Sequence, residues 1–315
     1  MTNASSILIV GSMAFDDLEL PTGSAPNVVG GSATYSSFAA SVFAPVRVVA
    51  VVGDDFPEEM LTSMRGRGID VEGVERAEGR TFRWAGRYDE DLIHRTTLDT
   101  QLNVFASFKP RLPEAYRETP LILLGNIHPA LQLDVLEQVH APAFVLADTM
   151  NFWISGEPRA LASMLRRIDT LVVNDEEARQ LSGMYNIRKA AREILARGPK
   201  RVIIKRGEHG ALLFDEEGVF AAPGFPLEDV VDPTGAGDSF AGGLLGYLAT
   251  QPQITALSVR RAMLYATATA SFCVEAVGTR RVASLTREDV TRRVNEIRDL
   301  YEFGASTMVA LPAGA

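Results

Sequence analysis

The chain has 315 residues, 46% of them hydrophobic, which suffices for one large core and a small appendage. Its formal net charge of -9 argues against a nucleic-acid partner, because such affinity rests on Lys and Arg neutralising phosphates. No apolar run is long enough to cross a bilayer, so no membrane partner is expected. Cys273 is the single cysteine and cannot form an intramolecular disulfide. With an opening segment, MTNASSILIVGS, that lacks a basic flank and a small-residue cleavage site, the expectation is a reducing, cytoplasmic compartment.

In chain order, SILIVGS, VRVVAVVG, LILLGNI, FVLADT, TLVVND and RVIIKRG are predicted strands. Continuous apolar runs of this kind suit strands buried on both faces. Between them PEEMLTSMRGRG, ALQLDVLEQV and IRKAAREILARG carry helical spacing, so repeated strand–helix–strand units and a largely parallel, open α/β sheet follow. Two stretches break the rhythm, from Phe15 to Val29 and from Arg80 to Lys109; they are richer in Thr, aromatics and charge and alternate at period two, as in TFRWAGRY. They are expected to form a β lid (residues 15–29 and 80–109) inserted into a discontinuous main domain (1–14, 30–79 and 110–304). Near the end Thr286 and Asp289 form a capping-box pattern, with Val290, Val294 and Ile297 on one helix face. Residues 305–315 are small and unpatterned and are expected to form a loose tail. The histidines His94, His128, His140 and His209 have no zinc-ligand spacing.

Ligands of open parallel sheets bind beyond the carboxyl ends of the strands. Nearly every predicted strand exits on a polar residue or glycine: Gly11 and Ser12 leading to Asp16 and Asp17, Gly53 to Asp55, Asn126, Asp148 with Asn151, Asn174 with Glu176 and Glu177, and Lys205 to Gly207. The strongest local signal is VVDPTGAGDSFAGGLLGYLA, a glycine loop running into a helix that starts near Asp238. Gly235 and Gly237 allow close backbone approach, and helix N-termini carry unpaired N–H donors. The amides of Gly235, Ala236, Gly237 and Asp238 are therefore expected to cradle a phosphoryl group, with Asp238 held ionised by the helix dipole as the base for a hydroxyl. Neither the GxxxxGK[ST] phosphate loop nor the GxGxxG dinucleotide fingerprint occurs.

DPTGAGDSFAGG resembles the carboxyl-terminal signature of the ribokinase-like (PfkB) carbohydrate and nucleoside kinase family, and Gly30-Gly31 in VVGGSATYSSFAAS resembles its amino-terminal diglycine signature. Asn174 to Glu177 resembles its NxxE element, and VIIKRGEHGALL its next strand and turn. The resemblance implies a Rossmann-like three-layer sandwich with a mainly parallel sheet and a small β lid. It implies an ATP- and Mg²⁺-dependent kinase, with Asp238 as base and Gly235, Ala236 and Gly237 as anion hole. Asn174 and Glu177 would organise Mg²⁺ and phosphate through water, and Thr234, Lys205 and Gly207 would line the ATP phosphates. Many relatives carry Thr where this chain has Lys205. ATATASFCVEAVGT would supply part of the adenine pocket, and Asp232 lies where the family often holds a monovalent cation such as K⁺. On the acceptor side the resemblance implies Asp16, Gly30, Gly31 and Tyr35, the last standing where relatives usually have Asn. If Phe82 and Trp84 face the cleft a nucleoside fits; if Arg83 and Arg87 do, an acidic or phosphorylated sugar fits better. The sequence reading ranks a sugar first, a nucleoside second and a non-catalytic sugar-binding module third, with a homodimer formed through the lid.

Overall fold

In the computed structural model, which describes residues 4–302, strand and helix alternate as the apolar runs require. The predicted tail, 305–315, lies outside the described residues. The strands are β1 (Ile7–Val10), β2 (Ala14–Leu20), β3 (Gly23–Gly30), β4 (Val46–Val52), β5 (Ile69–Arg76), β6 (Phe82–Tyr88) and β7 (Arg95–Gln101). They continue with β8 (Leu121–Leu124), β9 (Phe144–Asp148), β10 (Thr170–Asn174), β11 (Arg201–Lys205), β12 (Ala211–Asp215) and β13 (Gly218–Ala222).

A nine-stranded sheet has the order β13-β12-β11-β10-β9-β8-β1-β4-β5. From β11 through to β5 neighbours are parallel; β12 and β13 add an antiparallel edge. Every side chain of β1 is fully buried, Ile7 and Ile9 in one core and Leu8 and Val10 in the other. The first core also takes Phe38, Leu244, Ala262 and Ile297 from helices Ser32–Ser41, Ala236–Ala249, Ala256–Cys273 and Arg287–Tyr301. The second takes Val135, Leu161, Ala178 and Ile194 from helices Pro129–Gln138, Pro158–Leu165, Asp175–Ser182 and Ile187–Leu195. The result is three layers, each helix burying an apolar stripe on the sheet. No helix among the described residues is long and apolar enough to cross a membrane.

A second, four-stranded sheet has the order β3-β2-β6-β7. β2 pairs antiparallel with β3 and parallel with β6, and β6 pairs antiparallel with β7. The predicted box at the last helix forms, with Asp289 N donating to Thr286 Oγ1 at 3.1 Å and Thr286 N to Asp289 Oδ2 at 3.2 Å.

The main chain crosses from β1 to β4 and β5 on one side, then returns to lay β8 against the other side of β1. Strand order therefore reverses between β1 and β8, where open α/β sheets form a crevice beyond the carboxyl ends of their strands. Gly11 and Gly125, at those two exits, leave room for the hydroxyl of Ser32. Ser12 and Ser32 each donate a backbone N–H to the other's Oγ at 3.1 Å, fastening the start of helix Ser32–Ser41 to the β1 exit.

Candidate active site

The glycine loop ends in an N-cap at Gly235, whose φ of 77° is left-handed, and helix Ala236–Ala249 follows. A Cβ on Gly235 would lie 2.4 Å from ring atoms of Tyr35, so only glycine fits both the dihedral and the space. Ala236 N–H is already used, donating to Pro233 O at 3.2 Å. This corrects the expectation of a four-amide cup: the turn that shapes the loop consumes one donor. Among the described residues, no protein acceptor is recorded for the amides of Gly235, Gly237 and Asp238.

Asp238 is the third residue of the helix, partly exposed, and its carboxylate accepts no hydrogen bond among the described residues. It therefore does not cap its own helix. Its carbonyl accepts from Ser36 Oγ at 3.0 Å, pinning the helix start to helix Ser32–Ser41. Desolvation of its carboxyl group first, and then the charge of Asp148, push its pKa up to about 7 against the pull of Lys205 and Arg95.

Lys205, at the end of β11, points into the cup rather than to bulk solvent. Its ammonium lies 2.7 Å from where a Cβ on Gly237 would stand, and 3.2 Å from Asp148 Oδ2 at the end of β9. Burial alone would lower its pKa, but Asp148, Glu177 and Asp238 together raise it, so the ammonium stays charged. Asn174 and Glu177 form a capping box: Glu177 N donates to Asn174 Oδ1 at 2.7 Å and Asn174 N to Glu177 Oε2 at 2.8 Å. Glu177 is 5% exposed, and burial followed by repulsion from Asp148 raises its pKa. Gly207, at φ 54°, has open space on its Cβ side.

Asp232 is fully buried and ties two segments together, Oδ1 accepting Thr234 N and Oδ2 accepting Gly278 N, each at 2.9 Å. The helical part of ATATASFCVEAVGT is core rather than pocket wall: Ala266, Ala268, Phe272 and Cys273 are buried in the first core. Only the turn after Cys273 reaches the cleft side, where Gly278 abuts Val28 of β3.

On the acceptor side, Gly30 and Gly31 do different work. A Cβ on Gly30 would fall 2.0 Å from Asp16 Oδ2, so its absence makes room for that carboxylate. Gly31, at φ 93°, is the N-cap that turns β3 into helix Ser32–Ser41. Asp16 is 4% exposed with a pKa pushed up to about 8, by burial first and then by the charges of Asp232, Asp238 and Asp17. Asp17 points the other way, accepting Asn27 N at 2.7 Å and pairing with Arg83 at 3.2 Å, which separates the two neighbouring aspartates. Tyr35 is 1% exposed, and its hydroxyl has no partner among the described residues.

The faces of the smaller sheet follow from its register. Trp84 lies beside Asp16, so Trp84, Gly86 and Tyr88 share the face of Asp16, Leu18 and Leu20. Tyr88 and Thr234 share a hydroxyl hydrogen bond of 3.1 Å, so this face looks onto the glycine loop. The Trp84 indole lies over Gly86 and donates to Thr97 Oγ1 at 3.3 Å, while Phe82 stacks on Phe105 at 5.3 Å. Arg83 and Arg87 project from the opposite face, paired with Asp17 and Glu19. Sequence reasoning missed Arg95, whose charge is felt at Asp16, Glu177 and Asp238. It also noted Asp148 only as a strand exit, without its pairing to Lys205.

The pfkB family carbohydrate kinase model matches residues 7–286. The cytidine kinase of Thermococcus kodakarensis is 30% identical over 256 residues, covering 78% of this chain and 90% of that protein. The deoxyribokinase of Salmonella typhi is 28% identical over 264 residues, covering 79% and 82%. Among solved structures, the nucleoside kinase of Methanocaldococcus jannaschii superposes with a TM-score of 0.75 at 19% identity, covering 93% of this chain and 99% of that one. The chain therefore belongs to the pfkB family of carbohydrate kinases, which move a phosphoryl group from ATP to a hydroxyl of a small sugar or nucleoside.

Proposed function

We propose that this chain is a nucleoside kinase. The observation that carries the choice is the orientation of the smaller sheet: the Trp84–Tyr88 face looks onto the glycine loop, while Arg83 and Arg87 are tied to Asp17 and Glu19 on the other face. An aromatic wall suits a nucleobase, whereas an acidic or phosphorylated sugar calls for fork-shaped arginine contacts. The likeness to a cytidine kinase over most of both chains supports the same reading, which reverses the sugar-first order of the sequence.

In this reading Asp16 accepts hydrogen bonds from ribose hydroxyls, with Gly30 and Gly31 allowing the sugar close to the backbone and Tyr35 closing the wall behind them. Asp238 orients the acceptor hydroxyl and takes its proton; phosphoryl transfer through a loose transition state asks for little more of a base. The amides of Gly235, Gly237 and Asp238, with Thr234, Lys205 and Gly207, bind the phosphates of ATP and stabilise the charge that moves onto the leaving oxygens.

Glu177, aided by Asn174 and Asp148, is the fitting locus for Mg²⁺: two crowded carboxylates share one ammonium, which leaves negative charge for a cation to balance. Mg²⁺ keeps several waters and takes few protein ligands, so one or two carboxylates suffice to hold it. A Mg²⁺ ion held there by Glu177 would supply positive charge to offset the negative charge of the ATP phosphates. Asp232, with each oxygen engaged by a single N–H, retains lone pairs for a K⁺ ion beside the loop.

The test is ADP release from Mg²⁺-ATP across nucleosides, free sugars, sugar acids and sugar phosphates. Nucleosides are expected to give the highest kcat/KM, with phosphorus NMR identifying a nucleoside monophosphate. A free or acidic sugar turned over more efficiently than every nucleoside would overturn the proposal.

A further inference from the structure

Arg95 opens β7 and is solvent-exposed. Unlike Arg83 and Arg87, it forms no ion pair among the described residues. A register shift between Ala85 and Gly86 sets it opposite Tyr88, and so on the face that looks onto the glycine loop. Without that shift, Thr96 would occupy the cleft face and Arg95 the outer one. The guanidinium lies 5.8 Å from the centre of the Trp84 ring and also interacts with the Tyr88 hydroxyl opposite, and its five N–H donors leave others for a ligand. Burial raises the pKa of Asp16, Glu177 and Asp238, and in each case Arg95 acts against the rise. These three carboxylates come from the acceptor side, the nucleotide side and the point between them, so the charge of Arg95 spans the line along which a phosphoryl group would travel.

We propose that Arg95 is a phosphoryl clamp carried by the smaller sheet. With ATP and acceptor bound, its guanidinium bonds oxygens of the transferring group across from Lys205 and the Gly235–Asp238 amides. In that step the acceptor oxygen bonds to the γ-phosphorus and the bond from that phosphorus to the β,γ-bridging oxygen breaks. The hydroxyl proton passes to Asp238, and ADP leaves carrying the bridging electron pair. Arg95 offers two parallel donors to the equatorial oxygens during this exchange, a geometry that lysine reproduces only in charge.

The inference rests on the phosphotransfer reading, and the experiment separates the two. Calorimetry compares the wild-type chain, Arg95→Gln and Arg95→Lys, each with Mg²⁺, for binding of the β,γ-methylene analogue of ATP and of ADP; steady-state kinetics follow on the best nucleoside. Loss of one charge-assisted contact predicts analogue binding weakened about tenfold in Arg95→Gln, with ADP binding little changed. It also predicts kcat reduced about 10- to 100-fold at nearly constant acceptor KM, and partial recovery in Arg95→Lys. Equal weakening of both nucleotides, a loss confined to acceptor KM, or unchanged binding and kcat overturns the clamp while leaving the kinase reading intact. Failure of the wild-type chain to bind either nucleotide removes both. Arg95 is exposed and makes no ion pair among the described residues, so the variants are expected to melt close to the parent.

Discussion

In the proposed reaction Asp238 is the residue on which the chemistry turns, and its surroundings define how it should behave. Its carboxylate accepts no hydrogen bond among the described residues and is crowded by Asp148, with a pKa pushed up to about 7, so near neutral pH a large fraction is protonated. Only the ionised form can accept a proton. The rate should therefore fall as pH drops through about 7, and kcat/KM against pH should show an acid limb there. Replacing Asp238 by Asn keeps the size and removes the basicity. It should cut kcat by about 10²- to 10⁴-fold while ATP binding stays within about twofold, measured by ADP release and calorimetry. Near-normal kcat in that variant would mean that another group, or water, takes the proton.

At the scale of elements, the buried Asp16 on β2 makes the hairpin sensitive to pH. Its pKa is raised from about 4 in an unfolded chain to about 8 in the fold, so over that window the folded state holds a proton that the unfolded state has released. Stability from this group is thus full below about pH 4 and is lost as pH rises towards 8. The Asp16→Asn variant keeps a neutral side chain throughout. Its melting temperature should decline less between pH 5 and 8 than that of the parent, by several degrees on differential scanning calorimetry. Parallel declines would mean that Asp16 is ionised in the fold already.

The same elements show what the sequence carries by itself. Six strands were legible because burial on both faces forces continuous apolar runs, as in β1 and β4. β5 was not, because IDVEGVER sits at the sheet edge, is covered mainly on one face and includes Gly73, so its signal is diluted. The glycine loop, the diglycine and the capping box at Thr286 were legible because each is local, its dihedrals and donors set within a few residues. Arg95 was invisible for the opposite reason: which way it points depends on a one-residue bulge between paired strands. Likewise, nothing local in FVLADT or VIIKRG tells that Lys205 meets Asp148, because the pair spans strands that lie on either side of β10.

For the whole molecule, the smaller sheet poses a problem that the main sheet has solved. The nine-stranded sheet is covered on both faces, whereas the four-stranded sheet covers the crevice with one face and leaves β3 and β7 as open edges. β7 is exposed at every position, and Leu98 on it and Leu102 just beyond are 43% and 45% exposed, with Ile93 in the preceding turn at 65%. Unpaired strand edges that carry apolar side chains either acquire a partner or invite aggregation, and in a closed two-fold assembly the partner is a second copy of the same edge. We therefore propose a homodimer joined through the smaller sheets, which would also hold Arg95 and Trp84 steady over the crevice. Light scattering should give twice the chain mass at micromolar concentration. Leu98→Glu, which sets a charge on each side of a two-fold seam, should return the monomer and lower kcat more than it raises ATP KM. A wild-type mass of one chain across that range would show instead that β7 faces water, and that Arg95 is steadied by Trp84 alone.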